Sequence, residues 1–341
     1  MEHNKNLDAV RGCAILLVIL AHWASSPLGT EQTQYINLHW FSGWFGVDLF
    51  FVLSGYLVSA SLDRITQRQT GSAIAFIFLS RRWCRTMGPA FFWLAFWLTV
   101  VVIVGGGTHT GSVRNNIHHA IAVLFQYANL YLYFKCVKVS ECGVFGYYWS
   151  LSLEEWFYVM LLGIFLFRRR IALVLVVLYV AVWALSAPLM LNAWFRIDGM
   201  IAGCLIYQYR DHLPKLSPKW VPLLVIALGV NSAIPIPHFH ASVVIICSLL
   251  VIISLKNHDF YPQWVVWVGK ISYSLYLVHT PLIALMSDYG GGYLFLPLMV
   301  LLGYLGYRYI EIPCQAFGYA MSQRIEDKYA ARATRSFTDT A

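Results

Sequence analysis

The sequence predicts an all-α integral membrane protein, a bundle of about ten transmembrane helices with both termini cytoplasmic. Three observations carry this. Of 341 residues, 59% are hydrophobic and only 12% charged, whereas soluble domains run nearer half apolar and a quarter charged. The apolar residues come in long runs such as Ile171 to Val182 and Val243 to Leu255, and roughly 200 of them suffice for ten spans of about 20 residues. Aromatic residues make up 16% of the chain, which suits Trp and Tyr belts at membrane interfaces. A water-soluble enzyme and a disordered chain are excluded. So is a β-barrel, whose strands would alternate apolar and polar residues.

Spans are read near residues 8–27, 40–59, 85–106, 150–167, 171–190, 193–209, 219–237, 240–256, 266–286 and 292–313. The first follows Arg11 and lacks a small-residue cleavage signal, so it is read as a retained span. The piece 117–134 is apolar but carries His118, His119, Gln126 and Asn129, and charge decides its placement. If it does not cross, 20 of the 24 Lys and Arg lie inside, and only Arg114, Lys135, Lys138 and Arg196 lie outside. If it crosses, the later loops flip and the split becomes 10 inside to 14 outside, against the positive-inside rule. It is therefore expected as a re-entrant or interfacial outer helix. Residues 1–313 form the membrane domain, with a basic cytoplasmic loop at 60–84 and an outer region at 107–149. Residues 314–341 are expected as a short polar cytoplasmic tail. The net charge of +8 is accounted for by this topology, and no nucleic-acid partner is expected. The seven cysteines show neither CxxC nor Cys/His metal spacing, so no metal is expected. Cys136 and Cys142, both outside, are candidates for a disulfide.

Ionisable groups within a bilayer are costly and mark sites or pathways. In the first span Arg11 and His22 are separated by about three turns, roughly 16 Å, on one helix face. In the second, Asp48 needs a partner inside the bundle, and Gly46 and Gly55 permit close helix approach. Arg82 and Arg85 are i, i+3 neighbours at the inner surface, where two guanidinium forks suit a phosphorylated ligand. In the fourth span, Ser152 and Glu155 match a capping box. That leaves Glu154 free to orient His22 and raise its basicity. Arg196 and Asp198 open the sixth span, His279 lies in the ninth, and Arg308 with Glu311 reads as an i, i+3 ion pair in the tenth.

Five of these segments, in order, resemble the membrane-bound acyltransferase family 3: Arg11 with His22; Phe50-Phe51-Val52-Leu53-Ser54-Gly55; Arg82 with Arg85; Trp149 to Tyr158; and Ser272 to Pro281. The resemblance implies transfer of an acyl group, most often acetyl, from acyl-CoA to a hydroxyl of a carbohydrate or glycolipid acceptor. Some relatives carry a fused extracytoplasmic esterase-like domain. Without one, the membrane domain is expected to finish the transfer or to hand the acyl group to a separate protein. The expected site has His22, oriented by Glu154, as general base or, alternatively, as the carrier of an acyl-His intermediate, and Arg11, Arg82 and Arg85 on the acyl-CoA phosphates. Asp48, Arg196, Asp198 and His279 would bind the acceptor. The expected location is the bacterial inner membrane. The rival reading is an exporter of a sugar or lipid-linked intermediate, with the same polar residues as a pathway. Such proteins often show inverted repeats, and none is evident.

Overall fold

The computed structural model describes residues 4–39, 43–167, 173–178, 180–181, 196–233, 239–257 and 260–338. Among them the regular elements are all helices, and the sole β-type pairing is an isolated bridge between Gly107 and Gly111. Five helical segments are long and apolar enough to cross a membrane: Lys5–Ala24, Phe45–Thr66, Ser72–Val104, Gly146–Leu166 and Gly292–Tyr329. Two shorter apolar helices lie at Pro218–Leu228 and Ser242–Lys256. The expected span at 171–190 falls largely outside the described residues.

Helix α1 (Lys5–Ala24) opens at Asn4, whose side chain accepts the Asn6 N–H, satisfying one of the donors every helix start leaves free. After the short α2 (Glu31–His39), α3 (Phe45–Thr66) and α4 (Ser72–Val104) follow. The stretch 60–84, expected as a loop, is helical apart from a turn at 67–71, so the basic residues Arg81, Arg82 and Arg85 stand on α4 itself. α4 ends at Gly105, whose φ of +81° suits a left-handed helix stop.

The segment 107–149 holds α5 (Val113–Leu124) and α6 (Ala128–Tyr131), which runs into a π-helical turn to Val137. At 12 residues, α5 spans about 18 Å, too short for a hydrocarbon core of roughly 30 Å. It buries Asn116 and His119 and exposes Ile117, Ile121 and Leu124, an apolar outward face suited to lying in an interface. Cys136 and Cys142 are joined as a disulfide.

The remaining helices are α7 (Trp149–Phe167), α8 (Asp198–Gln208), α9 (Val221–Ala233), α10 (Phe239–Lys256), α11 (Gln263–Lys270), α12 (Ser272–Tyr289), α13 (Phe295–Gly306) and α14 (Ile312–Thr338). Within the segment expected as a short polar tail, residues 312–338 are helical, continue the preceding turn and pack along α4.

Small residues set the close crossings. A Cβ on Gly46 would lie 2.3 Å from the Ala14 carbonyl oxygen, and one on Gly55 only 1.9 Å from that of Met200. Both expected approaches are present, α3 against α1 and α3 against α8. A third crossing was not foreseen: Gly269 of α11 meets the backbone of Asp8 and Gly12 on α1.

Candidate active site

A cavity of about 1100 Å³ opens at the end of the bundle where the N-terminus of α1 meets the α3–α4 turn and the ends of α8, α10, α11 and α13. Its rim is cationic. Arg11, Arg82 and Arg85 line it together with Arg64, Arg210 and Lys256. The expected donor-binding trio is thus brought to one place, and both α4 guanidinium groups lie near enough to act on Arg11 electrostatically. Arg11 is held by Asp8 one turn earlier, at 2.8 Å. Arg81, also in the lining, pairs with Glu326 of α14 at 2.6 Å and donates to Ser322.

Deeper in, the lining is hydroxyl-rich: Ser54, Ser150, Tyr158 and Tyr276, with Glu154 among them. Arg82 lies over the Tyr158 ring, 4.9 Å from its centroid, a cation–π contact. The Tyr158 hydroxyl is 3.2 Å from the Glu154 carboxylate and 2.7 Å from Ser54 Oγ. Tyr158 has one proton and gives it to the carboxylate, so Ser54 donates to Tyr158. Glu154 therefore faces the cavity, bound to Tyr158. This corrects the expected Glu154–His22 couple, since the two do not meet.

Two further expectations fail for reasons of helix geometry. α7 already begins at Trp149, after a 3₁₀ turn at Gly146–Tyr148, so Ser152 sits inside the helix and cannot cap it. Glu155 is instead buried and accepts from the Thr86 hydroxyl on α4 at 2.8 Å. Arg308 and Glu311 do not pair. The π-helical turn Tyr307–Glu311 adds residues to one turn and rotates i, i+3 positions apart. Arg308 faces outward, while Glu311 is buried against the cavity and accepts from Ser274 (3.1 Å) and Gln315 (3.1 Å).

His22 lies beyond the inner end of the cavity, beside His279. The His22 Nδ1 and His279 Nε2 atoms are 3.4 Å apart, and the ring centroids 4.9 Å. His22 Nδ1 lies 2.9 Å from the Val18 carbonyl oxygen, and His279 Nδ1 lies 2.8 Å from that of Tyr276. A carbonyl can only accept, so in both neutral rings the proton sits on Nδ1. His279 Nε2 is then an acceptor, met by the Thr280 hydroxyl at 3.0 Å and by the His22 Nδ1–H. Among the described residues, nothing bonds to the His22 Nε2 lone pair. The wall between this pair and the cavity is aromatic. The Tyr276 ring stands 5.4 Å from that of His279 and 6.5 Å from that of Phe50, and its hydroxyl is fixed by Ser150 and the Tyr147 carbonyl, each at 2.7 Å.

Asp48 finds the partner it needs, because Arg196 donates to it between α3 and the start of α8. Asp48 is 1% exposed, and Asp198, in the first turn of α8, lies close to both. None of the three lines the cavity. Sequence reasoning missed Ser54, Tyr158, Tyr276 and Glu311 as site residues. The first three stand within the family-like segments and were read there as pattern only, and Glu311 was hidden by its supposed ion pair.

The family model for the acyltransferase domain of acyltransferase family 3 matches residues 4–307. The chain belongs to that family. It is 25% identical over 369 residues to the peptidoglycan O-acetyltransferase OatA of Listeria monocytogenes, covering 92% of this chain and 56% of OatA. A Bacillus subtilis protein, YrhL, provisionally named a peptidoglycan O-acetyltransferase, is 25% identical over 378 residues, covering 94% and 56% of the two chains. A Staphylococcus aureus protein, provisionally named an O-acetyltransferase, is 25% identical over 372 residues, covering 93% and 58%. The chain thus spans little more than half the length of these curated relatives. No solved structure matches.

Proposed function

We propose that this acyltransferase moves an acyl group, most simply acetyl, from cytoplasmic acyl-CoA to a hydroxyl of a carbohydrate or glycolipid acceptor at the outer side of the bacterial inner membrane. The acceptor class follows the names of its relatives, which include a peptidoglycan O-acetyltransferase. The reading takes the ten-span topology with both termini inside. One observation carries it: a cavity rimmed by Arg11, Arg82 and Arg85 ends at Tyr276, and directly behind Tyr276 stands the His22–His279 pair.

The donor phosphates lie among the arginines, where planar guanidinium forks match phosphate oxygens. The pantetheine arm runs down the hydroxyl-lined shaft, and the thioester comes to the aromatic wall. The acceptor hydroxyl approaches from the other side. His22 Nε2 takes its proton as the oxygen attacks the thioester carbonyl, the C–S bond breaks, and the CoA thiolate leaves. The proton shared between the two rings stabilises the imidazolium, with His279 a positioning residue rather than an acceptor ligand. Glu154, through Tyr158, faces the donor rather than the base.

The test is label transfer in proteoliposomes holding a polysaccharide acceptor and supplied outside with radiolabelled acetyl-CoA. Label on the acceptor, lost in His22→Ala with the fold intact, supports the reading. Full transfer by that variant overturns it. An exporter would leave the acceptor unlabelled.

A further inference from the structure

One cluster in the outer region takes no part in this chemistry. His119 on α5 is fully buried, and among the described residues neither ring nitrogen has a partner in good hydrogen-bond geometry, the Gly143 backbone being the one polar group that acts on the ring. Its ring stacks on Tyr131, 4.6 Å between centroids. Buried polar atoms without partners are costly and call for an explanation. One His119 nitrogen and the Sγ atoms of Cys136 and Cys142 all lie within 4.8 Å of one another. While the two sulfurs are bonded to each other, neither is the thiolate a metal requires.

We propose that reduction of Cys136–Cys142 turns this cluster into a binding site for a borderline-soft divalent cation, zinc foremost, held by His119 and two thiolates. A dithiol supplies the two electrons and two protons. The S–S bond breaks, each sulfur takes a proton, and the dithiol leaves as its own disulfide. Metal binding then releases those two protons and forms two metal–sulfur bonds and one metal–nitrogen bond, leaving a fourth tetrahedral position for water.

The geometry suits this. Zinc–sulfur bonds of about 2.3 Å and zinc–nitrogen bonds of about 2.0–2.1 Å place tetrahedral ligands roughly 3.4–3.8 Å apart. The sulfurs need only separate and the imidazole draw in slightly. Both cysteines are partly exposed, so reductant and metal reach them, while the imidazole behind them is already buried. The loop is also held by bonds that do not depend on the sulfurs. The Glu141 N–H donates to the Lys135 carbonyl at 2.9 Å. Buried Asn116 accepts from the Val144 N–H at 2.9 Å and donates to the Thr110 carbonyl at 2.7 Å. Cutting the disulfide thus leaves the ligand frame standing. The disulfide ties only residues six apart, whereas the metal would also fasten the loop to α5.

The test titrates Co(II) into full-length protein in detergent, before and after reduction by a water-soluble phosphine, which adds no thiolate. Reduced protein should bind one equivalent with tetrahedral thiolate–cobalt absorption, displaced by Zn(II), and oxidised protein none. Reduced His119→Ala should bind at least about tenfold more weakly, with the exposed His118→Ala unchanged. In the wild type, bound metal should shield Cys136 and Cys142 from alkylation but not Cys13, Cys84, Cys204, Cys247 or Cys314, a readout independent of any variant. Equal cobalt spectra before and after reduction would overturn the proposal. So would wild-type affinity in His119→Ala.

Discussion

Replacing each member of the histidine pair separates base from support. In His22→Ala the Nε2 lone pair is gone, and loss of a general base lowers kcat by about 10²–10⁴-fold. In His279→Leu the ring facing His22 Nδ1–H is replaced by an apolar side chain of similar bulk. The Val18 carbonyl at 2.9 Å remains, while the 3.4 Å contact is lost. The longer contact is the weaker of the two, and a net hydrogen bond contributes about 0.5–1.5 kcal/mol. His279→Leu should therefore lower kcat only about 2- to 12-fold, with the donor KM unchanged in both variants, since neither histidine lines the cavity. Initial rates against acetyl-CoA concentration, with folding checked by thermal unfolding in detergent, give both numbers. A larger loss in His279→Leu than in His22→Ala would refute the assignment of base and support.

Three further outcomes follow. Arg82→Ala should raise the donor KM about 10- to 100-fold, the scale of lost charged hydrogen bonds, and Arg82→Lys should recover little because the planar fork is absent; donor titration of the purified variants checks this. Gly55→Ala would press a methyl carbon into the Met200 carbonyl and should destabilise by about 1–3 kcal/mol, read in thermal unfolding, whereas Gly163→Ala, which meets open space, should be near neutral. At the end of α12, partial burial opposes ionisation of Asp288, but the N–H groups of His109 and Thr110 and the Thr110 hydroxyl, each at 2.7–2.8 Å, outweigh it and hold its carboxyl below the ordinary range. A depressed folded pKa stabilises above the ordinary carboxylate pKa and ceases to do so as pH falls through the folded value; order in the 107–111 loop, followed by hydrogen exchange, should therefore fade at acid pH in the wild type and be weaker throughout in Asp288→Asn.

The helical class was legible because hydropathy and charge bias are local sums, and the glycine crossings at 46 and 55 because small residues are diagnostic in apolar segments. The arginine trio was legible from i, i+3 spacing and helix rise. What failed depended on helix phase. The Ser152–Glu155 capping box presupposed a helix start that a preceding 3₁₀ turn moves upstream. The Arg308–Glu311 pair presupposed 3.6 residues per turn where the chain takes a wider one. Glu154 was assigned to His22 by similar depth, but depth does not fix azimuth, and α7 turns Glu154 toward Tyr158. His279 was foreseen as a site residue, yet its pairing with His22 joins α12 to α1, a contact across 257 positions that no local pattern encodes.

The aromatic wall at Tyr276 bears on more than catalysis. On the proposed function, a charged donor on one face and a sugar on the other would need two hydrated vestibules in one thin bundle, and joined vestibules would make a pore. Phe50, Tyr147 and Tyr276 form an aromatic barrier at the end of the cavity, and the Tyr147 and Tyr276 hydroxyls donate to the Leu277 and Tyr147 carbonyls. On the proposed function, such a barrier would let an acyl group pass from one face to the other without opening a pore.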